Sequence, residues 1–132
     1  MTDESTSLTE IFGEVIHAYT RAQALEDGVL VDLAAAAPDV CAQHFKYPVA
    51  CTASVWGLVE SACKDQRLCT SPAGVIHDIL WMARMSPSAR DLDPTTRLFG
   101  VIIGRRHHRL KMVCGPGDDA EPVMTVMLPE ED

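Results

Sequence analysis

Apolar and polar residues alternate in the last third of the chain. Residues 98–103 are almost wholly apolar, residues 108–114 alternate, and residues 123–128 form another apolar run. A period of two is typical of strands with one buried face. Gly104 can turn the chain between the first two runs, and residues 115–122, here called the connector, are rich in turn residues. The pattern predicts a three-stranded antiparallel meander.

Helical spacing of apolar residues dominates the middle of the chain. Thr52 can cap a helix that runs to about Lys64, and Ser71 begins another. A further helix covers residues 34–45, either continuous or restarted at Pro38. We expect these helices to cover one face of the meander, which is an α+β arrangement.

A short strand-helix-strand unit precedes these helices. Residues 14–19 and 29–31 predict the two strands. Thr20 and Gln23 have the spacing of a capping box, which begins the helix between them. Gly28 suits the left-handed position that ends it.

Length and composition indicate one globular domain. With 132 residues, 47% of them apolar and 23% charged, the chain can bury one core. Residues 1–9 lack periodicity and predict a flexible terminus, so the domain spans residues 10–132. No run approaches the ~20 apolar residues of a membrane span, and the acidic N-terminus is unlike a signal peptide. We therefore expect a cytoplasmic protein without a membrane partner.

The net charge of −8 is unevenly distributed. Residues 1–45 carry eight acids and one base, residues 97–112 carry five bases and no acid, and residues 113–132 carry six acids and no base. Because a chain with this net negative charge repels the phosphates of nucleic acid over most of its surface, we expect no direct contact with nucleic acid.

The basic segment nevertheless offers candidate chemistry. Imidazoles beside arginines could cleave RNA without a metal. The candidate catalytic residues of such a ribonuclease are Arg105, His107, His108, Arg109 and Thr125. The same charges also fit a solvated strand edge, which is the usual role of a charge run, or could pair with the acidic connector.

Acidic residues of the connector and of the first helix are candidate partner contacts. Asp118, Asp119 and Glu121 lie in the connector, and Glu26 and Asp27 end the helix. The connector lacks the spacing of a phosphate-binding P-loop and the ligand number of a calcium loop. Loops carried on a rigid sheet often bind partners.

Cysteines and histidines do not predict a metal site or a cofactor. The five cysteines are odd in number, and most lie among apolar residues, which predicts buried, reduced thiols. They are Cys41, Cys51, Cys63, Cys69 and Cys114. Neither Cys41 with His44 nor Cys63 with Cys69 and His77 has the paired short spacing of a zinc site. We interpret His44 and His77 as isolated residues.

Two tryptophans fall on apolar helical faces. Trp56 lies in the helix that Thr52 caps, and Trp81 lies in the helix that begins at Ser71. Both are predicted to belong to the core.

Several segments together resemble one family. They are YTRAQALEDGVLVD at residues 19–32, LWMA at 80–83, GPGDD at 115–119 with EPV at 121–123, and TVMLPE at 125–130. The family resembled consists of small proteins of unknown function found on bacterial phages, plasmids and integrated elements. The resemblance spans roughly residues 12–131. The resemblance implies no catalytic residue. It also implies a place among the accessory genes of mobile elements, where small acidic proteins are often inhibitors of host defence, including anti-CRISPR and anti-restriction proteins.

The leading hypothesis is therefore a non-enzymatic inhibitor, located in the cytoplasm of a bacterial host. It would bind a host defence protein or ribonucleoprotein complex through its acidic surfaces. The alternatives are the metal-independent ribonuclease described above and a structural adaptor of a phage or plasmid.

Overall fold

The computed structural model describes residues 19–68, 70–86 and 95–131, which form five α-helices and a five-stranded mixed sheet. The helices are α1 Arg21–Asp27, α2 Leu33–Ala36, α3 Pro38–His44, α4 Ala53–Lys64 and α5 Pro72–Met85. The strands are β1 Leu30–Asp32, β2 Val49–Thr52, β3 Thr96–Ile103, β4 Arg106–Pro116 and β5 Pro122–Met127. The predicted terminus over residues 1–9, nearly all of the predicted strand over residues 14–19, and Cys69 lie outside the described residues.

The sheet is larger than the predicted meander. Strands β3, β4 and β5 pair antiparallel in succession, as the alternation predicted. The strand order is β1-β2-β5-β4-β3, with β2 parallel to β5 and antiparallel to β1. The expectation of a three-stranded sheet was therefore incomplete. The interior strand that the prediction lacked, β2, has only four residues, all of them buried, so it shows no alternation between apolar and polar positions.

The main core lies between one face of the sheet and helices α2 to α5. Alternate residues of β3 and β4 point into it, including Phe99, Val101, Leu110 and Met112. Burial of such side chains is the main source of stability in a domain of this size. No helix within the described ranges combines the length and the apolarity that crossing a bilayer requires.

Helix α1 lies on the other face of the sheet, here called the second face. Thr125 stands in β5 between Met124, which packs on the core, and Val126, which belongs to it, so its side chain points away from the core. Arg21 of α1 contacts that side chain. The helices expected to cover one face of the meander do lie on the core side, whereas α1 lies on the second face.

The helix ends follow the predicted local chemistry. Thr20 and Gln23 form a capping box, and Gly28 ends α1 with φ of 82°. Thr52 caps α4. Pro38 restarts the helix, so residues 34–45 form two helices joined at Ala37 rather than one.

Candidate partner-binding surface

The acidic connector docks on the N-terminus of α1. Oδ1 of Asp118 accepts a hydrogen bond from the backbone N–H of Arg21 (2.7 Å), and Oδ2 accepts one from the N–H of Ala22 (3.0 Å). The first N–H groups of a helix have no partner within the helix, and the helix dipole favours a negative charge there. This carboxylate therefore joins two segments that are 97 residues apart.

The connector is held in shape by its own hydrogen bonds. The N–H of Gly117 donates to the carbonyl of Glu121 (2.6 Å), and that of Ala120 donates to the carbonyl of Gly117 (3.0 Å). Oε1 of Glu121 accepts from the N–H of Asp119 (2.9 Å). The side chain of Asp119 is exposed and makes no hydrogen bond to the residues described here. Asp119 is thus presented to solvent on an ordered loop.

Arg21 fastens α1 to the sheet. Its guanidinium donates to Oγ1 of Thr125 (2.8 Å) and to the carbonyl of Met124 (3.0 Å). Burial lowers the pKa of Arg21, and the nearby carboxylate of Asp118 opposes that shift. The only base among the first 45 residues therefore binds a strand that lies about 100 residues further along the chain.

The C-terminal end of α1 carries two further carboxylates. Asp27 accepts a hydrogen bond from the hydroxyl of Tyr19 (2.6 Å), which raises the pKa of the tyrosine. Glu26 is exposed and has no hydrogen bond or ion pair within the described part of the chain. The two ends of α1 are about 10 Å apart, roughly one Debye length, so the fields of the acids at both ends add. Glu26, Asp27, Asp118, Asp119 and Glu121 are called the acidic surface below.

An open cleft adjoins the acidic surface on the second face. It has a volume of about 480 Å³, and Asp27 and Glu131 line it. Oε1 of Glu131 accepts from Oγ1 of Thr52 (2.8 Å) and from the N–H of Leu128 (2.8 Å). Sequence reasoning missed Glu131, because its partner Thr52 lies 79 residues away. Its only signal in the sequence was its place in the acidic C-terminal segment.

The candidate ribonuclease residues are dispersed in the structure. His107 and His108 are successive residues of β4 and point to opposite faces of the sheet. The ring of His107 lies over Gly100, where an added Cβ would be 2.6 Å from its Nε2. Thr125 is paired with Val113, about 13 Å along β4 from Arg109. Its hydroxyl accepts a hydrogen bond from Arg21, so Thr125 contacts α1 and lies apart from the basic segment.

The basic turn and the acidic connector lie at opposite ends of β4. Gly104 and Arg105 form the turn between β3 and β4, with φ of 60° and 72°, as a two-residue type I′ hairpin requires. Ten residue steps of strand, about 33 Å, separate Arg106 from Pro116. The acids of the connector therefore do not neutralise Arg105.

The cysteines in the described ranges are free thiols. Cys41 and Cys51 are buried as predicted, whereas Cys63 and Cys114 are partly exposed. Burial and the nearby Glu131 raise the pKa of Cys51 to about 12, so its thiol stays protonated at neutral pH. Among the described residues, no group of three or more histidine, cysteine or acidic side chains could hold a metal ion.

His44 and His77 form a pair, which corrects their interpretation as isolated residues. Nε2 of His44 lies 2.9 Å from Nδ1 of His77, and Arg84 Nη1 lies 3.4 Å from Nδ1 of His44. Arginine only donates, so Nδ1 of His44 accepts, and its Nε2–H donates to His77. Trp81 stacks on the ring of His77 but is 44% exposed, so its predicted place in the core is wrong. Trp56 packs against the core as predicted.

We expect the histidine pair to make stability depend on pH. Burial first, and then His77 and Arg84, lower the pKa of His44 below its ordinary 6.5. Below pH 6.5 the unfolded chain therefore binds a proton that the folded chain does not. The free energy of unfolding should fall as the pH is lowered from 7.5 to 5.5, as measured by urea denaturation.

A glutamine at position 44 removes this titration. His44→Gln should reduce the difference in unfolding free energy between the two pH values, whereas His108→Gln, which leaves the pair intact, should not. An equal pH dependence in the wild type and His44→Gln would contradict the prediction.

Comparison with known proteins gives a family without an assigned function. No curated protein and no solved structure matches the chain. The sequence model of a family of unknown function, DUF6573, matches residues 10–132, which is nearly the whole chain. The chain therefore belongs to the DUF6573 family.

Proposed function

We propose that this protein is a mobile-element accessory protein and a non-enzymatic inhibitor of a host defence complex, of the anti-CRISPR or anti-restriction type. The acidic surface binds a basic groove on a defence protein or ribonucleoprotein complex and blocks access of nucleic acid to that groove. The setting on a mobile element, and hence in a bacterial cytoplasm, follows from the resemblance of residues 19–32 and 115–130 to proteins of phages and plasmids.

One observation carries the proposal, namely the docking of Asp118 on α1. Its two hydrogen bonds hold the connector against the helix, so acids from distant parts of the sequence form one surface. Carboxylates held at the two ends of a helix about 10 Å long present a preorganised negative field, which can compete with phosphates for an arginine- or lysine-lined groove. Preorganisation reduces the entropy that such binding costs.

The basic segment supports a ribonuclease less well than the acidic surface supports binding. Its two histidines point to opposite faces, and Thr125 is held by Arg21. Phosphate cleavage by an acid and a base needs both groups within reach of the same substrate atoms.

Charge reversal at two positions tests the proposal without damaging the fold. Glu26 and Asp119 are suitable because neither side chain makes a hydrogen bond within the described residues. Asp118 is unsuitable, because its loss would also uncap α1. The tagged protein would be used at low salt to capture complexes from bacteria with active restriction and CRISPR systems, followed by mass spectrometry.

The captured partner should be a nucleic-acid-binding defence complex, and double-stranded DNA or guide-bound target should compete for it. Glu26→Lys with Asp119→Lys should weaken binding about tenfold, which corresponds to about 1.4 kcal/mol. The control, Asp39→Lys with Glu60→Lys, makes the same change in net charge on α3 and α4 and should bind normally. Equal weakening in both variants, or binding that nucleic acid does not displace, would refute the proposal.

A further inference from the structure

Among the strands that the structure describes, β3 lies at an edge of the sheet, and its register identifies the backbone groups that face outward. The N–H of Cys114 donates to the carbonyl of Thr95 (2.9 Å), so the odd-numbered residues of β3 bond to β4. The even-numbered residues therefore face outward, which agrees with the hydrogen bond from Ser86 Oγ to the carbonyl of Leu98 (2.7 Å). The N–H and C=O groups of Gly100 and Ile102 face outward as well, with no partner in the described ranges.

Ser86, at the C-terminal end of α5, covers this edge at Leu98, whereas the part from Gly100 to Ile102 lacks the features that usually prevent strand pairing. β3 has eight residues with one charge, Arg97, and no proline. Its outward residue Ile102 is 64% exposed. Natural proteins commonly protect an edge by shortening it or by placing proline, lysine or a bulge on it. The opposite edge, β1, follows this practice with only three residues.

An apolar groove runs beside the outer edge of β3. It has a volume of about 300 Å³ and lies between Trp81 and Met82 of α5 and Val101 and Ile102 of β3. Asp78 and His107 also line it. Trp81 and Met82 are 44% and 40% exposed. A side chain on an added strand would be buried there, since alternate side chains of a strand point to the same face.

Charge complementarity selects an acidic occupant. Residues 97–112 carry five bases and no acid, and Arg105 and Arg109 are exposed beside β3. Arg109 is opposite Gly100, and the ring of His107 lies over that glycine, so an added strand would meet an imidazole with an arginine behind it. A second copy of this chain, paired through β3, would bring two arginine-rich segments together at a cost in free energy.

We propose that the outer edge of β3 and the groove beside it bind an extended peptide segment of a partner protein by β-strand addition. The segment alternates apolar with acidic residues, so that its backbone pairs with Gly100 and Ile102 and its apolar side chains enter the groove at Trp81. This site is separate from the acidic surface, which lies on α1 and the connector.

The test begins with a library of random 12-residue peptides, displayed on phage and selected against the full protein. Selected peptides should alternate apolar and acidic residues. Binding of a chemically synthesised peptide with a selected sequence should slow hydrogen exchange of the Gly100 and Ile102 amides by about tenfold or more, as measured by NMR. Failure to select any peptide, enrichment of basic peptides, or protection elsewhere would overturn the proposal. So would protection of the same two amides by a single-stranded oligonucleotide.

Two modifications test strand addition directly. A peptide N-methylated at the residues that face β3 should lose binding to the unchanged protein, because it lacks the necessary N–H groups. Ile102→Pro should also abolish binding, since it removes an outward N–H and leaves the bonds to β4 in place, whereas Ile102→Thr should retain strand pairing. Undiminished binding of the N-methylated peptide would overturn the proposal. Glu26→Lys with Asp119→Lys should bind the peptides normally, which separates this result from the test of the acidic surface.

Discussion

Replacing Leu110 with alanine is expected to lower the free energy of unfolding by about 3 kcal/mol, within the range of about 2–5 kcal/mol for buried leucines. Leu110 is fully buried in β4 and is paired with Phe99 of β3. Its removal would lose the transfer free energy of the side chain and leave a cavity between the sheet and the helices. Urea denaturation of the wild type and the variant measures the difference.

The control for this prediction is Ile102→Thr on the neighbouring strand. Ile102 is 64% exposed, so this change should alter the free energy of unfolding by no more than about 0.5 kcal/mol. A loss below about 1 kcal/mol for Leu110→Ala, or equal losses for both variants, would contradict the assignment of Leu110 to the core face.

Much of the local structure could be predicted because its physical causes are local. The alternation of residues 108–114 reports which side of β4 is buried. Thr20 and Thr52 begin helices because their hydroxyls accept hydrogen bonds from free backbone N–H groups of the first turn. Gly28 ends α1 because it adopts the left-handed conformation.

Structure that depends on distant pairing could not be predicted in this way. Strand β2 is stabilised by its parallel pairing with β5, where Ala50 lies opposite Thr125. Its four residues carry too little periodicity to identify a strand. Helix α1 is on the second face because of hydrogen bonds to β5, and no pattern within its seven residues specifies that face.

In the candidate site, too, the residue types could be predicted from the sequence, whereas the contacts between distant residues could not. The acids of the connector and of α1 were identified from their types and positions, whereas their arrangement was not. Asp118 caps α1, and Glu131 binds Thr52, across separations of 97 and 79 residues. Exposed charges could be identified from the sequence because acids are rarely buried. Which of them hold the fold, and which remain available to a partner, depends on tertiary contacts.

Replacing Arg21 with alanine is expected to lower the free energy of unfolding by about 2–3 kcal/mol. The guanidinium makes hydrogen bonds to Oγ1 of Thr125 and to the carbonyl of Met124, both partly buried. Hydrogen bonds with a charged partner contribute about 1.5–3 kcal/mol, and the acceptors left behind would be only partly solvated. Urea denaturation measures the loss, and faster exchange of the α1 amides would show that the helix has loosened from the sheet.

Lysine and a surface arginine provide the comparisons for Arg21→Ala. Arg21→Lys keeps the charge, but a lysine ammonium lacks the two parallel N–H donors with which the guanidinium reaches Thr125 and the carbonyl of Met124. This variant should therefore recover only part of the stability. Arg67, whose side chain is 85% exposed beside Asp65, should tolerate alanine with little change in the free energy of unfolding, because an ion pair in water contributes little. Full recovery by lysine would show that charge near Asp118 stabilises α1, rather than the hydrogen bonds to β5. If Arg21→Ala were no more harmful than Arg67→Ala, Arg21 would not fasten α1 to the sheet, and the rigidity ascribed to the acidic surface would rest on Asp118 alone.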